Sequence, residues 1–383
     1  MPEHAAALAD WLRDRLAREF GAPIDAVRID GLTRAGVGQS SETLLFDASW
    51  SSASGTATGQ YVLRIQPGPD GIFRHPDAVR EFRVLDAVAR HSRAPVPRVR
   101  WLEPDPTVLG APFFVMDRAH GIVPAGKPSI HTVGWLPTLR PDQRRRLAES
   151  AVDAVVAIHA VDWHESHAFL LGDAGPTPGL GAHLAAIADW YGWATAGRRF
   201  PITDAALAYL IGSQHAIAEG EPVLLWGDAR LGNMMFDETS LAVSAVLDWE
   251  CATIGPAGVD VAHWLVFDEF ATSAAGVERL AGYPERTEMI NRYEAVSGRT
   301  VDDLAYFEIL QCLFLATTLI RQADAAVRSG RLRPETRMGQ DNTVTQMLAR
   351  RLGLPVPELA ADYVAHRRTR PGDVAVVNLR QPG

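Results

Sequence analysis

The sequence predicts an α+β fold of two lobes, in which a small antiparallel sheet precedes a mainly helical region. Five short β-type runs, with one helical pattern among them, lie between positions 27 and 118, and helical patterns dominate after Gly121. Strands and helices segregated in this way favour α+β over a regular βαβ alternation. A length of 383 residues suits two structural units, which we place at 1–117 and 118–383.

The first unit opens with a helical pattern over 3–20, whose apolar residues recur at helical spacing and which Gly21 ends. A second helical pattern covers 77–91. The segment 51–59 is rich in Ser, Ala, Thr and Gly and is predicted to be a hairpin loop. The β-type runs lie at 27–32, 43–50, 61–66, 96–101 and 112–116.

The second unit is dominated by helical patterns, and no period of 20 to 50 residues repeats in it. The predicted helices lie at 141–160, 181–195, 203–219, 258–270, 285–297, 302–328 and 335–352. Short β-type runs at 223–225, 234–236 and 243–247 interrupt them.

Composition and charge narrow the function classes. The chain has 37 basic and 46 acidic residues, a net charge of −9, so its overall charge does not favour nucleic acid or an anionic membrane as partner. Cys251 and Cys312 are too few for a disulfide framework or a metal cluster. The N-terminal segment is too charged for a signal peptide, and the most apolar stretch, 312–320, is shorter than a membrane-spanning helix. We therefore expect a cytoplasmic protein.

A polar loop between two short β-type runs carries the strongest chemical signal. Asp228 and Asn233 stand five residues apart in it, and the next run ends at Asp248 in the motif Leu-Asp-Trp-Glu. Phosphoryl transfer needs such a set: one carboxylate to orient a hydroxyl and accept its proton, and an amide oxygen with a second carboxylate to hold Mg²⁺. A D-x-x-x-x-N pattern alone is common in solvated loops, and the placement between strands favours the catalytic interpretation.

These residues resemble the aminoglycoside phosphotransferase family of protein-kinase-like small-molecule kinases, over about 30–320 and most specifically over 224–264. The Leu-Asp-Trp-Glu motif looks most like a branch that has been likened to the kinase-like region of an acyl-CoA dehydrogenase relative. The resemblance implies a bilobed kinase-like fold, ATP or GTP as donor, Mg²⁺, and a small-molecule hydroxyl as acceptor. It implies that Asp228 is the catalytic base, Asn233 and Asp248 the Mg²⁺ ligands, and Asp260 a brace for the loop; Arg230 joins Asp228 as a candidate catalytic residue.

A small-residue loop between two strand runs is the candidate phosphate loop. It contains Gly36, Gly38, Ser40 and Ser41, which would let backbone N–H groups approach phosphates. A dinucleotide-binding fingerprint is disfavoured because a strand, not a helix, follows the loop. A plain hairpin turn remains the alternative.

The cation that pairs nucleotide phosphates in kinase-like folds is a lysine on the third strand, which also pairs a helix glutamate. The single lysine of this chain is Lys127, so Arg64, on the run 61–66, and Glu81, on the helix 77–91, are the candidates. Arginine can bind phosphate oxygens bidentately. A surface arginine on a strand is the alternative interpretation. The resemblance further implies that backbone groups of Asp117 and Ala119, in the hinge between the lobes, contact the adenine of the nucleotide.

One departure from the family pattern precedes the catalytic loop. Trp226 stands where the family usually has a histidine, two residues before Asp228. A catalytically weak nucleotide-binding pseudo-kinase with a regulatory role is therefore the alternative function. A nicotinamide-dependent oxidoreductase lacks the βαβ context.

The sequence leaves the acceptor and the oligomeric state open. Asp268 and Glu269 could receive a cationic aminosugar, although acidic pairs on helices are usually solvated. Tryptophans make an apolar or aromatic acceptor at least as plausible, although most of them are expected to be core residues. These are Trp163, Trp190, Trp193 and Trp264.

Overall fold

The computed structural model describes residues 5–34, 42–53, 55–126, 129–172 and 177–369, and it confirms the bilobed α+β fold. The strands of the first lobe form one antiparallel sheet in the order β1-β2-β3-β5-β4. Its elements are α1 (Ala5–Phe20), β1 (Val27–Arg34), β2 (Glu42–Ser52), β3 (Gly55–Ile65), α2 (Ala78–His91), β4 (Val99–Glu103) and β5 (Phe113–Asp117).

The inner part of the sheet, where β3 pairs with β5, is buried between two helices because apolar residues fill both of its faces. Leu63 belongs to the same core cluster as Leu12 of α1. Val62 and Phe114 belong to the other cluster, with Val84 of α2. Side chains alternate between the faces of a strand, so β3 contributes to both cores.

The prediction of a loop at 51–59 is wrong, because the pairing of β2 with β3 continues to the end of the hairpin. Ser52 pairs with Gly55, and the hydroxyls of Ser51 and Thr56 lie 3.0 Å apart across the ribbon. Small and β-branched residues fit an exposed, paired ribbon as well as they fit a loop, so composition alone misled the prediction.

The second lobe is mainly helical and carries two small two-stranded sheets, β6-β9 and β7-β8. Its helices are α3 (Pro141–His159), α4 (Trp163–Ser166), α5 (Leu180–Thr195), α6 (Pro201–Ser213), α7 (Gly258–Ala271), α8 (Arg286–Ser297), α9 (Leu304–Arg328), α10 (Thr343–Leu352) and α11 (Ala361–Thr369). Its strands are β6 (Val223–Leu225), β7 (Met234–Phe236), β8 (Val243–Val246) and β9 (Thr253–Gly255).

The apolar stretch 312–320 is shorter than a membrane-spanning helix, but the helix that contains it, α9, is 25 residues long. Among the described residues it is the one helix that is long and apolar enough, by length and composition, to cross a membrane. However, 67% of its most apolar window is buried inside the protein, where it packs against α5, α6, α7 and α10. The helix is therefore the central core helix of the lobe.

Several local differences separate the helical lobe from its prediction. Helix α10 begins at Thr343 rather than at 335, because the side chain of Asn342 caps it by accepting the N–H of Thr345 at 2.9 Å. The helix predicted at 203–219 is observed as α6, which ends at Ser213. Strand β9 and the helices α4 and α11 were not predicted, since elements of three, four and nine residues give little periodic signal.

Candidate active site

The loop between β6 and β7 carries the candidate base, Asp228, in a network of three donors. Its Oδ1 accepts from Arg230 Nε at 3.0 Å and from His263 Nε2 of α7 at 2.9 Å, and its Oδ2 accepts from Asn233 Nδ2 at 2.6 Å. Burial would raise the pKa of the Asp228 carboxyl, but the charge of Arg230 and the hydrogen bond from His263 hold that pKa well below its usual range. The carboxylate is therefore ionised and oriented at neutral pH.

Asp260, at the start of α7, holds the backbone that leads into Asp228. It is fully buried, and its two oxygens accept the N–H groups of Trp226 at 2.7 Å and Gly227 at 2.9 Å. His159 Nε2 lies 3.2 Å from the same carboxylate. Gly227 has φ +89°, and a Cβ there would overlap the carbonyl group of Cys251, so only glycine fits this turn.

Trp226 connects this loop to the segment 247–252, which we call the metal loop. Its buried indole donates from Nε1 to the carbonyl oxygens of Leu247 at 2.9 Å and Asp248 at 3.1 Å. Through these two hydrogen bonds the indole braces the metal loop against the loop that carries Asp228.

Arg64 joins the sheet lobe to the metal loop. It lies two residues after Val62 on β3 and so faces α2, where its Nη2 is 3.0 Å from Glu81 Oε1. The same nitrogen is 3.2 Å from Asp248 Oδ1. The side chain is 12% exposed; burial alone would lower the pKa of Arg64, but Glu81 and Asp248 outweigh burial and raise it. Arg64 is therefore a buried, permanently charged group and not a surface arginine.

Asn233 and Asp248 offer oxygens that fit Mg²⁺. Because Asn233 Nδ2 donates to Asp228, its amide oxygen is the atom available to a cation. Asp248 has φ +64°, a strained conformation of the kind that clusters at functional sites. Within the described part of the chain, no group of three or more His, Cys, Asp or Glu side chains could hold a metal ion. Two protein oxygens suit Mg²⁺, which takes its other ligands from phosphates and water.

Asp117 and Ala119, the predicted hinge residues, lie apart from this network. Asp117 ends β5, and its carboxylate accepts two hydrogen bonds from Arg100, at 2.7 and 2.8 Å. Ala119 follows in the segment that leaves the sheet lobe. The candidate phosphate loop with Gly36, Gly38, Ser40 and Ser41 lies outside the described residues.

Three site residues were missed by sequence reasoning: His263, its partner Gln311 and Arg80. His263 comes three residues after Asp260 on α7 and so faces the same loop, a spacing that could have indicated it. His263 Nδ1 lies 2.8 Å from Gln311 Oε1 of α9, and this contact depends on a distant helix. Arg80 of α2 donates to the carbonyl oxygen of Ala252 in the metal loop.

Cys251 and most of the tryptophans have structural roles. The half-buried Cys251 has a thiol pKa raised well above its usual value by burial and by neighbouring carboxylates, so it is a poor nucleophile. Three of the candidate acceptor tryptophans are buried, whereas Trp193 is half-buried beneath Arg321, whose guanidinium lies 4.0 Å from the ring centroid. The buried ones are Trp163, Trp190 and Trp264.

Curated relatives match part of this chain and a smaller part of their own length. A probable acyl-CoA dehydrogenase, IBR3 of Arabidopsis thaliana, is 26% identical over 255 residues, which cover 61% of this chain and 27% of that protein. Acyl-CoA dehydrogenase family member 10 of Mus musculus is 28% identical, with coverages of 67% and 22%. The chain thus spans about a quarter of the length of these two relatives.

Solved structures share the fold at low identity. A protein of Ralstonia eutropha assigned to the aminoglycoside phosphotransferases has a TM-score of 0.62 and 22% identity, with 90% of this chain and 98% of that chain covered. Macrolide 2'-phosphotransferase MphH of Brachybacterium faecium has a TM-score of 0.51 and 18% identity, with 90% and 99% covered. These likenesses establish a kinase-like phosphotransferase fold.

A family model extends the likeness to the sequence. The model of the phosphotransferase enzyme family matches residues 33–294, more than half of the chain. The matched region includes β3, α2, the loop between β6 and β7, and the metal loop. The chain belongs to the phosphotransferase enzyme family.

Proposed function

We propose that the protein is a small-molecule kinase that transfers the γ-phosphoryl group of ATP or GTP to a hydroxyl, with Mg²⁺ as cofactor. The observation that carries this proposal is the convergence of two networks. One is Asp228 with Asn233, and the other is Arg64 with Glu81. Asp248 meets Arg64 at 3.2 Å, so a base, a phosphate-binding cation and the candidate metal ligands converge on one cleft.

Asp228 orients the acceptor hydroxyl and receives its proton as the phosphoryl group is transferred. Little covalent chemistry falls to the protein in phosphoryl transfer, so the position and ionisation of this carboxylate are its main contribution. His263 and Asn233 fix its rotamer. Arg230, whose Nε is bound to the same carboxylate, adds a positive charge next to the transferred group.

Arg64 holds the donor phosphates, and Glu81 keeps the guanidinium in place. In this structure Arg64 also pairs with Asp248, so the arrival of phosphate oxygens would draw the guanidinium toward them and free the carboxylate. Asn233 and Asp248 would hold Mg²⁺, which neutralises charge on the phosphate oxygens when bound.

Ligands of similar structures support the donor and the acceptor class. The aminoglycoside phosphotransferase APH(4)-Ia has a TM-score of 0.53 to this chain in its ternary complex with ADP and hygromycin B. Another ternary complex of that enzyme holds AMP-PNP with hygromycin B. A nucleotide donor and a small-molecule acceptor are therefore consistent with the fold of this chain.

The test is a transfer screen of the purified protein with labelled ATP or GTP, with and without Mg²⁺, against a library of hydroxyl compounds. We expect Mg²⁺-dependent transfer to at least one compound. Asp248→Asn should abolish transfer and weaken Mg²⁺-dependent AMP-PNP binding in calorimetry, whereas Glu238→Gln, on the exposed turn after β7, should change neither. A wild type that binds nucleotide and transfers to no compound, water included, would identify the pseudo-kinase instead.

A further inference from the structure

Two helix faces meet beside the catalytic carboxylate and present aromatic rings. His263 and Phe267 are four residues apart on α7, and Gln311 and Phe314 are three apart on α9, so each pair shares a helix face. His263 contacts both Asp228 and Gln311. Its ring lies 5.0 Å from the ring of Phe267 and 5.9 Å from that of Phe314. Both phenylalanines are half-buried, so part of each ring faces solvent.

The aromatic surface extends toward the sheet lobe. The half-buried ring of Phe73 lies 6.3 Å from Phe314 and 5.6 Å from Trp190. We call Phe73, Phe267 and Phe314 the aromatic wall. The Arg230 guanidinium lies 5.2 Å from the centroid of Phe267, which links the wall directly to the catalytic loop.

Three acidic residues of α7 and α9 near the aromatic wall, Asp268, Glu269 and Glu308, are already paired with arginines. Asp268, 7% exposed, accepts from both terminal nitrogens of Arg279. Glu269 and Glu308 both pair with Arg351. Bidentate arginine–carboxylate pairs are among the strongest charge-assisted hydrogen bonds. An ammonium group that displaced one would leave a poorly solvated guanidinium without its partner, at a large cost.

We propose that the acceptor presents its hydroxyl from an apolar body without positive charge, which packs on the aromatic wall, and that polycationic aminosugars are not acceptors. This inference rests on the function proposed above, because it takes Asp228 as the base. A hydroxyl within hydrogen-bond reach of Asp228 places the adjoining atoms of its carrier near Phe267 and Phe314, where burial of carbon is favourable and burial of an unpaired charge is not.

A matched pair of probes tests the charge preference. The full-length protein is first saturated with Mg²⁺ and AMP-PNP, and binding of 4-methylbenzyl alcohol, 4-(aminomethyl)benzyl alcohol and hygromycin B is then followed by saturation-transfer NMR. Failure of AMP-PNP to bind would count against the kinase function itself, whereas the probe series bears only on the acceptor. We expect the neutral alcohol to bind at millimolar concentration and about tenfold more tightly than its ammonium analogue, with no binding of hygromycin B.

Substitution of the wall completes the test. Phe267→Ser should weaken binding of the neutral alcohol about tenfold and leave AMP-PNP affinity unchanged. Tyr209→Ser, which removes an exposed ring from α6, is the matched control and should change neither. If Phe267→Ser does not fold, Phe314→Ser replaces it. Equal or tighter binding of the ammonium probe, binding of hygromycin B, no binding of the neutral alcohol, or an affinity unaffected by loss of the wall residue would overturn the proposal.

Discussion

Trp226 joins two loops that a phosphotransferase needs in fixed relative positions. Its indole N–H donates to two carbonyl groups of the metal loop, and its own backbone N–H donates to Asp260. Trp226→Phe keeps an aromatic ring at this position but removes the indole N–H, which leaves those carbonyl groups without this donor. We expect the free energy of unfolding to fall by about 1–3 kcal/mol, measured by urea denaturation. AMP-PNP should also bind more weakly in the presence of Mg²⁺, because Asp248 loses its backbone support.

Trp193→Phe is the control for that substitution, since Trp193 is a half-buried indole on α5 that packs under the guanidinium of Arg321. It should leave nucleotide affinity unchanged. If Trp226→Phe matched the wild type in both stability and nucleotide affinity, the indole hydrogen bonds would have no bracing role.

Single residues also show how far sequence reasoning reaches. The pairing of Arg64 with Glu81 could be predicted because kinase-like folds pair a strand cation with a helix glutamate, and the sheet lobe contains no lysine. The contact of Arg64 with Asp248 could not, since those positions are 184 residues apart. Asp228 and Asn233 could be predicted from their spacing. The hydrogen bond from His263 to Asp228 could not, because it depends on how α7 packs against the loop.

Helices α7 and α9 hold His263 against Asp228, and their close approach depends on a glycine. Gly258 starts α7, and a Cβ there would overlap the ring of Phe307 on α9. Gly258→Ala therefore overpacks this contact. We expect a loss of about 1–3 kcal/mol in the free energy of unfolding, measured by urea denaturation.

The matched control lies on another helix. Gly192 is an exposed position near the end of α5, where a Cβ would meet nothing within 4 Å. Gly192→Ala should raise the free energy of unfolding by about 0.5–1 kcal/mol, because alanine has the better helix propensity. Equal effects of the two substitutions would contradict the close contact between α7 and α9.

The predicted elements differ from the observed ones where periodicity gives no information. Long helices with a continuous apolar stripe, such as α3 and α9, were found within two residues of their ends. The β2–β3 ribbon was shortened in the prediction because Ser, Thr, Ala and Gly occur in loops and in exposed strands alike. Strand β9 is three residues long and owes its existence to its partner β6.

Side chains of each lobe form hydrogen bonds with the backbone of the other lobe. These contacts between residues far apart in sequence fix the two lobes relative to each other. Arg80 of α2 meets the metal loop, and Trp190 of α5 donates to the carbonyl oxygen of Ile72 at 3.1 Å. His167, which is fully buried, donates from Nε2 to the carbonyl oxygen of Val84 at 3.4 Å. Burial lowers the pKa of His167 to about 4.

That pKa makes the stability of the whole molecule sensitive to acid. The folded state keeps His167 neutral down to about pH 4, while the unfolded chain protonates it below about pH 6.5. The stabilising contribution is therefore present above pH 6.5 and lost as the pH falls from 6.5 to 4. In His167→Gln the dependence of unfolding free energy on pH should be shallower in this window by up to about 1.4 kcal/mol per pH unit, measured by urea denaturation at each pH. An unchanged slope would show that His167 is not held neutral.

Asp228→Asn gives the most direct test of the account. γ-Phosphoryl transfer from labelled ATP to the best acceptor of the screen, or to water, is measured for wild type and variant, with AMP-PNP affinity determined by calorimetry on the same samples. If Asp228 orients the hydroxyl and takes its proton, transfer should fall by about a hundredfold or more while nucleotide affinity stays the same. An active wild type whose transfer rate survives Asp228→Asn would contradict the mechanism.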